Sequence, residues 1–288
     1  MGTTTDATTT RHLDRPDGRI AYEVHPARGA ERGLVLAVPG MGDLRSTYRF
    51  LAPALAAAGY RVVAADLRGH GDSDATFSEY GDEATAGDVV ALLEALREEG
   101  QPVAVVGSSM AAGSAVLAAA QRPDLVDDLV LLGPFVRDPQ ASALARWATA
   151  SLVRVLMVPA WAAVTWRSFL PRLYAGARPG DFDAHRAAIV ASLRRPGHAA
   201  AFSRTTRTSH APAEAALPAV GARVLVVVGA ADPDFPDPRA EASWIAGRVS
   251  GRVVLVDDAG HYPHAQRPDV VVPAVRDFLA AGQEARRA

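Results

Sequence analysis

The chain has 288 residues, 49% of them hydrophobic and 22% charged, and a formal net charge of −2. That is enough apolar chain to bury one large core, and such a balance gives no electrostatic reason to expect nucleic acid as a partner. Cysteine is absent, which excludes disulfides and thiolate metal sites, and no zinc-finger or phosphate-loop spacing occurs.

Residues 1–10, "MGTTTDATTT", read as a disordered polar tail. They lack the apolar stretch that a secretory signal needs, so a cytoplasmic location is expected. "RIAYEVH" (19–25) alternates like a half-exposed strand, and "GLVLAVPG" (33–40) is the unbroken apolar run of a strand covered on both faces. A helix is expected over 46–59, a strand over 60–69, a helix over 83–99, a strand over 102–108, a helix from 110 to 121 and a strand over 126–134. The alternation then stops. Residues 135–216 are helical in pattern, with Trp147, Trp161 and Trp166 in their first half. Strands return at 222–233 and 251–261, and a helix closes the chain at 269–286. This order predicts an α/β fold: a doubly wound, mostly parallel sheet formed by residues 11–134 and 217–288, with a helical cap inserted over 135–216. The apolar stretch 141–166 is broken by Arg146, Arg154 and Pro159, so no membrane span is expected.

"VAVVGSSMAAGSA" (104–116) runs a strand straight into Gly-Ser-Ser and then a helix. A serine hydroxyl becomes a nucleophile when an imidazole removes its proton, and a carboxylate usually orients that imidazole. A serine exposed on a tight strand-to-helix turn needs small neighbours two positions away. Gly107 and Ala111 flank Ser109 in this way, whereas Ser108 has Val106 and Met110. Ser109 is therefore the candidate nucleophile, and Ser108 a spacer placed to line the pocket or bond locally. Asp232, in "GAADPDFPD", leaves a strand whose carboxyl end lies on the same edge as the serine turn. Asp234 and Asp237 read as solvated loop or helix-start residues. His261 follows the next strand directly, and His264 reads as a surface or packing residue. Oxyanion stabilisation would come from two backbone N–H groups, those of Met110 and of Met41 in "VPGMGD".

With these segments in view, the chain resembles the α/β-hydrolase superfamily from residue 19 to 283, apart from the cap. "GSSMA" resembles the Gly-x-Ser-x-Gly elbow, with Ala111 for the second glycine, and "PGMGD" resembles the His-Gly-x oxyanion loop, with Pro39 where histidine is common. "DLRGHGDSD" (66–74) is similar to a loop-shaping segment of the family, in which Asp66 and His70 are structural. "GAADP" and "GHYPHAQRPD" resemble its acid and histidine turns. The resemblance implies a Ser109-His261-Asp232 triad acting through an acyl-enzyme, with no metal or organic cofactor.

One fold and one triad serve many reactions, so the substrate must be read from the cap. Its large apolar residues favour an ester with an apolar acyl or alcohol group; Trp147, Trp161, Trp166, Tyr262 and Ser108 are the candidate pocket residues. Residues 139–216 hold ten arginines against Asp181, Asp183 and Glu214, so the cap is basic on an acidic body. The expected function is a carboxylesterase or lipase-like serine hydrolase with a small-molecule substrate. The same triad acting on a lactone, thioester or carbon-carbon bond, a perhydrolase and a slow-turnover receptor stay open, as does the choice between monomer and homodimer.

Overall fold

Strand β3 (Gly33–Val38) and strand β5 (Val103–Ser108) are buried at every position, as the apolar runs require of strands covered on both faces. They lie in the middle of one eight-stranded sheet with β1 (Arg11–Arg15), β2 (Gly18–His25), β4 (Tyr60–Ala65), β6 (Asp128–Leu132), β7 (Arg223–Gly229) and β8 (Arg252–Val256). The computed structural model describes residues 9–287, so most of the 1–10 tail lies outside the described residues. The strand order is β1-β2-β4-β3-β5-β6-β7-β8; β1–β2 and β2–β4 pair antiparallel, and every later pairing is parallel.

Alternate side chains of β3 feed opposite layers. Leu34, Leu36 and Val38 pack with α2 (Asp82–Leu96) and α3 (Ala111–Gln121), while Val35 and Ala37 face α1 (Leu51–Ala57) and the far end of the chain. Helices α4 (Ala143–Leu156), α5 (Ala162–Leu173), α6 (Phe182–Leu193), α7 (His198–Thr205) and α8 (Ala211–Ala216) run between β6 and β7. The last of these carries Ala213 into the core cluster of α2 and α3. Then α9 (Pro238–Val249) separates β7 from β8, and after the short α10 (Pro263–Gln266), α11 (Pro268–Arg287) completes the second layer.

Two elements depart from the sequence reading. The helix expected over 46–59 is a 3₁₀ turn at Arg45–Tyr48 followed by α1, because the Tyr48 hydroxyl turns in to donate to the Val38 carbonyl at 2.6 Å. Strand β1 was not expected. It is a short edge strand whose residues are exposed or half-buried, so it has no apolar period to read, and its register comes from the hairpin with β2. No helix among the described residues is long and apolar enough to cross a membrane.

Candidate active site

Ser109 follows β5 directly and has φ +54°, the left-handed region that a residue with a side chain enters at a cost of about 1–3 kcal/mol. The turn is held there by its backbone. The Ser109 N–H donates to Leu132 O at 2.9 Å, and its carbonyl accepts from Ala112 N at 3.0 Å and Phe135 N at 3.1 Å. A methyl on Gly107 would lie 2.4 Å from the Ala111 carbonyl oxygen, so the turn closes only over glycine. Gly40 does the same from the facing loop, where a methyl would meet Ser109 Cβ at 2.5 Å.

Asp232 and His261 leave β7 and β8 on the same edge. His261 Nδ1 lies 2.9 Å from Asp232 Oδ2, and both residues are 2% exposed. The Nδ1–H therefore donates to the carboxylate and leaves Nε2 as the outward nitrogen. Among the described residues no hydrogen bond joins Ser109 Oγ to His261. Such contacts are often long before substrate binds. Phe135 connects the two, its N–H on the Ser109 carbonyl and its ring 5.5 Å from the imidazole. Burial works against a charged His261, but Asp232, together with Asp234, outweighs it and lifts the imidazole well above its ordinary value.

Asp234 is not the solvated loop residue that its sequence context suggested. Its carboxylate is 3.5 Å from His261 Nδ1, and burial raises its pKa. Asp237 caps α9 by accepting from Ala240 N. Asp232, Asp234 and His261 offer donor atoms within 4.8 Å of one another, the one such group among the described residues. Since Nδ1 is taken by Asp232, the geometry is that of an imidazole steered by carboxylates.

The loop carrying Met41 is fixed from below and above. His70 accepts the Gly42 N–H at Nε2 (3.0 Å) and donates from Nδ1 to Arg68 O (2.8 Å); burial keeps this ring neutral, with a pKa lowered to about 4. Trp166 of α5 donates from its indole to Gly42 O at 2.7 Å. Neither the Met41 nor the Met110 N–H donates to a protein acceptor among the described residues.

The candidate pocket residues separate. Trp166 lies against Gly42, and Tyr262 stands edge-on to His261 with centroids 5.1 Å apart. Ser108 is fully buried, its Oγ without a partner. Trp147 and Trp161 are 67% and 47% exposed. His264 packs inside, its Nε2 3.0 Å from Thr47 Oγ1.

Several contacts have no sequence signal because they join distant positions. His185 of α6 reaches Asp43, two residues after Met41, at 2.8 Å. Burial alone would raise that carboxyl, yet His185 and its hydrogen bonds hold it below the usual carboxylate range. The His261 N–H donates to Leu173 O at the end of α5, and Gln266 bonds Ala175 O and Ala177 O, so the histidine loop is tied to the end of α5 and the segment after it. A second buried pair, His210–Asp82 at 2.8 Å, sits near Ser114, but that hydroxyl donates to the carboxylate and not to the imidazole. It has the composition of a triad without its order.

A sequence model of the alpha/beta hydrolase family matches residues 35–274. The 2-(acetamidomethylene)succinate hydrolase of Mesorhizobium japonicum is 27% identical over 227 residues, 77% of this chain and 79% of that protein. Human monoglyceride lipase is 29% identical over 152 residues, 51% of this chain and 50% of that protein. Among solved structures, a thermophilic esterase from Thermogutta terrifontis superposes with a TM-score of 0.73 at 24% identity, covering 96% of this chain and 99% of that one. The last comparison speaks for the fold alone.

Proposed function

The chain belongs to the alpha/beta hydrolase family, and from that premise we propose that it is a serine hydrolase cleaving carboxylic esters with an apolar acyl or alcohol group. The observation that carries this reading is the backbone of Ser109, a left-handed serine at the end of a buried central strand, on the same edge as a hydrogen-bonded His–Asp pair. A structural helix start would not need that strain.

In this mechanism His261 Nε2 takes the Ser109 proton as Oγ attacks the ester carbonyl. The imidazolium, stabilised by Asp232 on its other nitrogen, then protonates the departing alcohol. The developing oxyanion is met by the N–H groups of Met41 and Met110, the latter at the start of α3, where the helix dipole favours negative charge. Water activated by the same imidazole releases the acyl group. A preference for apolar groups is supported by the cluster of Trp166, Leu170, Phe202 and Tyr262 that lies over the oxyanion loop and the histidine.

A fluorophosphonate should label Ser109 stoichiometrically, and a panel of acyl esters run beside lactones and thioesters should show turnover greatest on esters. Labelling without turnover on any of them would make the protein a receptor, and no labelling would defeat the assignment of Ser109.

A further inference from the structure

The outer face of α4 has no use in the mechanism above. At about 100° per residue, Leu144, Trp147, Leu152 and Val155 share the side of the helix opposite Val153 and Met157, the two residues that pack into the cap cluster. Their exposures are 75%, 67%, 57% and 60%, and Trp161 and Val164 at the start of α5 continue the patch at 47% and 59%. The helix is amphipathic with its apolar side outward. Trp161 donates its indole N–H to Val155 O at 2.9 Å, which joins the beginning of α5 to α4 and fixes the patch as one surface. Contiguous apolar surface of this kind marks an interaction site.

The charge around it narrows the partner. From residue 139 to 180 the sequence has five arginines and neither aspartate nor glutamate. Arg154, beside Trp147 on the helix, and Arg167 on α5 form no ion pair or hydrogen bond among the described residues. A second copy meeting this face two-fold would set arginine against arginine with no acid to compensate. A small ligand cannot cover a convex helix. Outward Trp and Leu flanked by unpaired arginines fit an interface whose interior is apolar and whose surface is anionic.

We propose that α4 and the start of α5 form a docking surface for an anionic lipid bilayer. The apolar side chains enter the boundary between headgroups and acyl chains, the two indoles lie at headgroup level, and the arginines meet lipid phosphates. This does not depend on the role of Ser109. The test is co-sedimentation of the full chain with phosphatidylcholine vesicles with and without phosphatidylglycerol, alongside tryptophan fluorescence. Binding with a blue shift is expected on the phosphatidylglycerol vesicles and should weaken as salt rises. Arg154→Gln should lower partitioning about fivefold, equivalent to about 1 kcal/mol. The double variant Leu152→Glu, Val155→Glu should abolish binding while its circular dichroism and its turnover of a soluble short-chain ester stay at wild-type level. Absence of binding to the anionic vesicles, equal binding to neutral ones, or undiminished binding by the double variant would overturn the proposal. A concentration-dependent dimer that the double variant dissolves would also overturn it, by assigning the face to a second copy.

Discussion

The turn at Ser109 and the helix at Trp147 are opposite cases of how a chain treats its surroundings. At Ser109 every backbone atom has a partner and the neighbours are so close that a single methyl on Gly40 or Gly107 would collide. Along α4, large apolar side chains project into solvent, although they carry more burial energy than anything in the turn. Local strain survives where the surrounding structure over-determines it, and exposed apolar surface survives where the missing partner lies outside the chain. The first region is complete in itself; the second, on the docking proposal, is half of an interface.

The largest effect should come from Ser109→Ala, which is expected to reduce kcat on a nitrophenyl ester by on the order of 10⁶ with no loss of melting temperature. Retained turnover would separate the strained turn from catalysis. Asp232→Asn should lower kcat by about 10⁴. It should also move the rising limb of the kcat/KM pH profile toward acid. The limb follows formation of neutral His261, and Asp232 raises that pKa, so removing its charge lets the ring lose its proton at lower pH. An unmoved limb would detach the pair from the reaction.

Leu131→Ala, in the fully buried β6, should destabilise the fold by about 2–5 kcal/mol, while Leu152→Ala on α4 should fall within about 0.5 kcal/mol. Equal losses in denaturant unfolding would erase the contrast between the two regions. Gly40→Ala should lower kcat/KM by about 10²-fold, comparable to losing one oxyanion donor, because the loop must retreat from Ser109.

The smallest effect concerns pH and stability. Burial lowers His264 to about 3, and an unfolded chain restores the ordinary value near 6.5. As pH falls below that value the unfolded state takes up a proton that the folded state refuses, so this residue withdraws about 1.4 kcal/mol per pH unit. His264→Gln should therefore flatten the decline of stability between pH 6.5 and 4.5 relative to wild type, and an unchanged slope would deny the buried neutral ring.

Much of the fold was legible because its signals are local. The continuous apolar runs at 33–38 and 103–108 belong to strands with two covered faces, and the arrest of alternation after residue 134 marks where strands give way to helices. Strand β1 was not legible, since an edge strand buries too little to leave a pattern. In the candidate site, the order of serine, aspartate and histidine, each after a parallel strand, pointed to one edge, where Asp232 and His261 do meet. The approach of Asp234 to His261 could not be read, because two aspartates two positions apart on a loop differ only in which way the backbone turns.

The three tryptophans of the cap divide most clearly between the two kinds of information. Sequence by itself determined that residues 135–216 are helical in pattern and that 139–216 are basic, because composition and period are properties of a segment. Only the tertiary structure decided that Trp166 would bond Gly42 while Trp147 and Trp161 would face outward. Likewise only folding joined Asp43 to His185 across 142 positions. The physical reason is that burial and hydrogen-bond partnership depend on what lies opposite a side chain, and what lies opposite comes from other parts of the chain.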